Sequence, residues 1–449
     1  MYRIIISIGL LVGISSGIRA QEAVYFNTIN QESYELYLAG QWDSVIVLGK
    51  QAIRQEMDFY YLRMRMGIAY YQEKNYRQAA SQFKRALQFN QSAPAALEQL
   101  YYAHLMAGQA EQASLVRKQF RGDLSLKLPP PEGKFADKIN FEYLYSRSLN
   151  EDLLSESDNL FEGLPPGIQY LPQHFSNISL SLVNSITPGF TLVHVYNYLS
   201  KISHLHYDDG TIQVEYPDQH VSQHQYYISP NITTRSGFTF MPMFHLLSIH
   251  YQTPVDLRTG FQGSSQVLIG VVDKTDFATG IDLRKGIGNL DLNLGAWYAT
   301  LNEATQFQQR LGFTWYPLGN LNLYVGACLN SQYERSGLDR TTRYIPELNL
   351  GFAMAEKLWV DLKGSQGEMV NFLENNGAIV YNSFSEVIRK KITLTLSVPI
   401  SEKGSLLYLG GRWSANESHF YPEDPAQENI TNTIHYNNLS IYGGLSWKF

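Results

Sequence analysis

The stretch Asn438–Phe449, NLSIYGGLSWKF, decides the fold. In an extended chain Leu439, Ile441, Leu445, Trp447 and Phe449 fall on one face, and Asn438, Ser440, Tyr442, Ser446 and Lys448 on the other. Such a strand belongs in one of two settings. In a soluble sandwich its apolar side is the core, whereas in a membrane barrel that side faces lipid and the polar side lines a wetter lumen.

Working outward, the same period of two recurs back to residue 137. Strands are expected near 137–148, 175–186, 190–204, 222–232, 238–252, 274–285, 289–301, 305–317, 321–333, 343–354, 357–366, 386–400, 403–416 and 433–449, about fourteen in all. Leu290, Leu292, Leu294, Ala296 and Tyr298 alternate with Asp291, Asn293, Gly295 and Trp297, and Ile392, Leu394, Leu396, Val398 and Ile400 alternate with Thr393, Thr395 and Ser397. The joints at 187–189, 233–237, 286–289, 317–320, 355–357 and 401–404 are short. Those at 149–174, 205–221, 253–273, 334–342, 367–385 and 417–432 are long, with NEAT near 302–305 the one short exception. Short inner turns and long outer loops are the pattern of a transmembrane barrel with both ends on one side. Pro242, inside the strand 238–252, leaves that strand's bounds open.

The ending resembles the C-terminal assembly signal of Gram-negative outer-membrane proteins, carried here by Leu445, Trp447 and Phe449. The opening matches that address. Arg3, the apolar run Ile4–Ile14 and the small-residue approach to Ala20 make residues 1–20 an expected signal peptide. The single cysteine, Cys328, can form no intramolecular disulfide. A formal net charge of −6 gives no basic excess of the kind nucleic acid requires. The 31 tyrosines suit interfacial girdles, where a ring buries its body and keeps its hydroxyl wet.

Residues 21–127 have a different period. Gly67, Tyr70, Ala79, Phe83 and Ala86, within Tyr60–Ala93, resemble the tetratricopeptide repeat, whose small residues sit where two antiparallel helices approach closely. A shift of 34 residues carries Tyr76 to Trp42, Ala86 to Ala52 and Ala79 to Ala113, which makes three units. The resemblance implies a periplasmic groove that recruits a protein partner; a passive spacer is the other reading. LPPPEG at Leu128–Gly133 makes 128–135 a stiff linker to a barrel at 136–449.

The fold expected is therefore α + β multidomain: tetratricopeptide-like helical repeats followed by an antiparallel transmembrane β-barrel of about fourteen strands. Its architecture resembles that of YaiO-type outer-membrane proteins and polysaccharide-export porins, a resemblance that implies a channel or export porin, with polysaccharide as one solute. A non-conducting anchor or scaffold is the alternative. The expected partners are outer-membrane lipid, the barrel assembly machinery and a periplasmic protein.

No catalytic set, cofactor loop or metal spacing stands out, so no enzyme, cofactor or metal is expected. His204, His206, His220 and His224, beside Asp208 and Asp209, read as loop histidines. Glu142, Asp282, Arg284, Asp291, Arg310, Glu347, Asp361, Lys363, Arg412 and Lys448 fall on the polar faces. They are expected in the lumen, either paired across it or setting its selectivity.

Overall fold

A computed structural model describes residues 25–128, 136–150, 164–208, 213–215, 218–259, 265–355, 357–383, 386–401, 404–422 and 432–449. The expected signal peptide and all of the linker but Leu128 lie outside these residues. The chain divides into two compact units, one built on the N-terminal helices and one on the strands.

Helix α1 covers 25–38, followed by α2 (Trp42–Arg54), α3 (Tyr60–Gln72), α4 (Tyr76–Phe89), α5 (Pro94–Met106), α6 (Ala110–Arg117) and the short α7 (Gly122–Lys127). The starts of α2, α4 and α6, at 42, 76 and 110, recur every 34 residues, as do those of α3 and α5, at 60 and 94. Each helix packs chiefly on its neighbours in sequence. The local chemistry sets the helix ends. Pro94 occupies the first turn of α5, where no N–H is needed, and the Asn75 side chain accepts from the Gln78 N–H at the start of α4. The helices meet over Phe83, Leu62, Ala69, Ala79 and Ala86, all fully buried. At Gly67 the backbone of α3 lies against the Phe83 ring, and a Cβ there would sit 2.5 Å from Cε1.

In the second unit the strands are β1 (Lys138–Ser148), β2 (Gly167–Thr187), β3 (Phe190–Asp208), β4 (Gln213–Glu215), β5 (Gln219–Thr233), β6 (Phe238–Thr259), β7 (Ser265–Ile287), β8 (Leu290–Leu301), β9 (Ala304–Trp315), β10 (Leu323–Ser336), β11 (Asp339–Ala355), β12 (Leu358–Met369), β13 (Phe372–Glu374), β14 (Ile379–Tyr381), β15 (Glu386–Pro399), β16 (Leu406–Pro422) and β17 (Thr433–Lys448). Fourteen of the described strands, all but β4, β13 and β14, form one antiparallel ring. It closes because β17 pairs with both β16 and β1, Ile441 lying opposite Gly411 and Tyr145.

The apolar face of this ring is its exposed face. Leu292, Leu294 and Tyr298 on β8, and Ile392, Leu394 and Leu396 on β15, are open on the outside, whereas Asp291 and Trp297 point inward and are buried. A sandwich would bury the first set, so the exposure decides between the two settings in favour of a transmembrane barrel. At about 3.3 Å per residue and a tilt near 40°, the climb from Leu290 to Tyr298 is roughly 20 Å, close to the height of the apolar band on such barrels.

Several inward rings lie over glycines: Tyr442 over Gly410 and Tyr408 over Gly444 of the neighbouring strand, and Trp297 over Gly280 of β7 and Gly295 of its own strand. A side chain at those glycines would occupy the ring's place. Pro242 fits within β6 because it faces Pro230 of β5. The two imino residues share one gap in the ladder, where the Ser229 hydroxyl donates to the Pro242 carbonyl at 2.7 Å.

The long joints need correction. Strand pairing continues past the expected ends, so Gly167–His174, Thr253–Thr259, Ser265–Asp273 and much of 334–342 are strand, the last closing on the tight turn Gly337–Leu338. Nothing in the alternation marks where lipid gives way to water, because a paired strand runs on through both. Above the ends of β1 and β17, β2 and β16 pair directly, Gln169 opposite Phe420.

Candidate functional site: the occupied lumen

The joint 367–385 is not a free outer loop. Between β12 and β15 the chain turns into the barrel as the hairpin β13–β14, Phe372 opposite Tyr381 and Glu374 opposite Ile379. The local sequence explains the turn. Asn375, Asn376 and Gly377 all have left-handed φ, at 52°, 54° and 74°, which Asn and Gly tolerate and β-branched residues do not. The flanking runs NFLE and AIVY supply apolar side chains. Phe372 and Leu373 are almost wholly buried, the first with Ile345 and Met369, the second with Leu247, Trp297 and Leu301.

Wall side chains take up the hairpin's backbone groups. Gln308 both donates to the Leu373 carbonyl (2.7 Å) and accepts from its N–H (3.0 Å), and Gln332 donates to the Val370 carbonyl at 2.8 Å. At the tip, His245 Nδ1 lies 2.7 Å from the Gly377 carbonyl and so donates to it; Trp297 Nε1 donates to Asn376 Oδ1 at 3.2 Å. Asn376 in turn donates to the Met241 carbonyl at 3.3 Å, only three residues from the inner end of β6 at Phe238. A Cβ on Gly377 would collide with the Met243 side chain. The hairpin thus spans from the β12–β15 wall to β5, β6, β8, β9 and β10.

Charge holds it as well. Glu374 is buried between two lysines of the wall: Lys391, 2.5 Å away and itself almost wholly buried, and Lys363. The Tyr381 hydroxyl donates to the same carboxylate at 2.6 Å. Lys363 also pairs with Glu347 (3.2 Å), and Glu347 with Arg310 (3.6 Å), so one ladder of alternating charge runs along the wall. A buried carboxylate with two ammonium partners and a phenol is fully satisfied; the same group without them would be very costly.

The expected lumen residues divide accordingly. Arg310, Glu347 and Lys363 are brought together in this ladder. Asp282 and Asp291 are buried on the inward faces of β7 and β8, and Asp361 lies on that of β12. Glu142 hydrogen-bonds Tyr408, Arg412 faces a separate cavity, and Arg284 and Lys448 are exposed near the inner ends of β7 and β17. Gly67, Tyr70, Ala79, Phe83 and Ala86 all lie in the helical unit's interior. Leu445 and Trp447 lie outward on β17, and Phe449 is exposed just past its end.

Sequence reasoning missed Glu374, Tyr381, Lys391, His245 and Trp297 as one group. The signal was present as FLENNGAIVY, two short apolar runs about an Asn-Gly turn inside a supposed outer loop. Of the histidines, His204 pairs with Asp218 (3.3 Å) and His224 with Tyr196 (2.7 Å). Among the described residues no three metal-ligating side chains converge; Asp209 lies outside them.

The chain matches no family model and no curated protein sequence. Solved structures share the barrel. The toluene transporter TodX of Pseudomonas putida has a TM-score of 0.45 at 10% identity, covering 74% of this chain and 95% of its own. A FadL homologue of Pseudomonas aeruginosa has 0.42 at 9%, covering 70% and 91%. The KdgM porin, solved with disordered oligogalacturonate, has 0.28 at 9%, covering 70% and 99%. Similarity at this level says nothing of what this chain carries. The chain's own geometry defines the class: helices followed by a closed antiparallel barrel of fourteen described strands with an apolar outside.

Proposed function

We propose that the chain is an outer-membrane channel whose lumen is narrowed by its own inward hairpin, and that its helical unit lies in the periplasm and recruits a protein there. The observation that carries the channel reading is the hairpin β13–β14, tied to the lumen wall by side-chain contacts inside a barrel whose outside is apolar. A folded obstruction selects small solutes in the state described. Polysaccharide export, implied by the resemblance, would require the hairpin to withdraw.

The 34-residue recurrence of helix starts and the close approach at Gly67 support a tetratricopeptide-like solenoid. Its exposed Tyr34 and Tyr61, with the Arg65 guanidinium over both rings at 5.1 and 5.9 Å, favour a protein ligand. Assembly would depend on the barrel machinery reading Leu445, Trp447 and Phe449.

The buried Glu374–Lys391 pair favours one rival, a permanently closed anchor. Single-channel recording of the purified protein in a planar bilayer separates the two. Deletion of 371–382 is expected to raise conductance several-fold over the parent. A barrel that stays heat-modifiable in gels yet passes no current after the deletion would overturn the channel reading.

A further inference from the structure

Beside the hairpin, between it and the wall formed by β15–β17, β1–β3, β5 and β6, lies a cavity of about 360 Å³. Its two sides differ. Leu199, Val221 and Ile249 of the wall, with Val380 of the hairpin, make an aliphatic side; across from them stand Arg412, Ser414, Asn438 and Ser440. The polar groups are not all used. Arg412 Nε is shut off from water with no hydrogen-bond partner. Gln223, 3% exposed, accepts from Asn382 through Oε1 and leaves its Nε2 without an acceptor. Three lysines also line the space: Lys201 and Lys391 are neutralised by Glu386 and Glu374, and Lys274 shares the lining with Glu303. Among the described residues no carboxylate lies within ion-pair distance of Arg412: Glu374 is taken by Lys391 and Lys363, and Glu142 by Tyr408.

Buried donors left without acceptors are destabilising, charged ones most of all, and a ligand that supplies acceptors relieves that. An aliphatic wall opposite an unpaired guanidinium matches one kind of molecule: a compact apolar body ending in a carboxylate, which a guanidinium grips with two parallel hydrogen bonds. We propose that this cavity binds a small amphipathic carboxylate, its anionic end on Arg412 and its apolar body against Leu199, Val221 and Ile249. The proposal deepens the channel reading by naming its solute class, and it rests on that reading only for the passage that follows binding.

The test is equilibrium binding to the full protein in lipid nanodiscs, with 4-phenylbutanoate as probe and 4-phenylbutanol as its neutral counterpart. The carboxylate is expected to bind at least tenfold more tightly than the alcohol. Arg412→Gln is expected to remove that preference and leave alcohol binding within about twofold. Leu199→Trp, which fills the aliphatic side, should abolish both, and Arg412→Lys, which keeps the charge but not the fork, should retain part of the preference for the acid. Heat-modifiable mobility confirms that each variant is a closed barrel; if Arg412→Gln does not assemble, Arg412→Lys and Leu199→Trp carry the test. Equal affinity for acid and alcohol in the parent, or an unchanged preference in the assembled variants, overturns the proposal. Binding without conductance would refute the channel alone, and conductance without binding would refute this site alone.

Discussion

Replacing Glu374 by Gln should unlock the hairpin. The carboxylate is buried between Lys391 and Lys363 and takes a hydrogen bond from Tyr381, with Lys391 only 2% exposed. The amide keeps the shape and one acceptor oxygen but removes the charge, so two ammonium groups remain inside with less to neutralise them. Breaking a buried pair from one side costs about 3–5 kcal/mol, and a residual hydrogen bond from the amide places this case near the lower figure. At 1.4 kcal/mol per decade, the balance between inserted and withdrawn hairpin shifts roughly a hundredfold or more. The barrel itself loses little, because its ladder of backbone bonds does not include β13 or β14. In a planar bilayer the variant should therefore show frequent large openings that the parent rarely visits, with gel mobility unchanged. Conductance and open probability identical to the parent's, in a properly assembled variant, would refute the claim that this ion pair holds the hairpin.

Three further outcomes are expected. Ile441→Lys puts a charge on the lipid-facing side of β17, at a cost of up to about 2–4 kcal/mol near the bilayer centre; membrane assembly, read as heat-modifiable protein, should fall sharply, while Ser440→Ala on the opposite face should be mild. Gly67→Leu drives a side chain into the Phe83 ring and should lower the melting temperature of the helical unit in residues 21–127, followed by circular dichroism, with Leu126→Ala, at a side chain 81% exposed, far less harmful. His104, pushed down to about 4 chiefly by burial, is neutral in the folded helices. Its unfolded form takes up a proton near pH 6.5, so stability is full above that value and is lost as pH falls from 6.5 towards 4, by at most about 3 kcal/mol; His104→Asn should flatten this dependence in pH-resolved melts.

Much of this molecule is legible in one dimension. The alternation in NLSIYGGLSWKF and in Leu290–Tyr298 is a local property of side chains on an extended chain, so strand number, order and facing follow from it directly. The 34-residue recurrence is equally local, since it repeats one hairpin of helices. Two things were decided only in three dimensions. One was which solvent the apolar face meets, because lipid and protein core ask for the same residues; closure of β17 on β1 with Leu292 and Ile392 left outside answered it. The other was what fills the lumen. Glu374 meets Lys391 seventeen residues on, but His245 and Gly377 are 132 apart and Trp297 and Asn376 are 79 apart. No periodicity links such pairs. They come together because a closed ring brings its walls around whatever enters it, and an Asn-Asn-Gly turn between two apolar runs gave this loop a reason to enter.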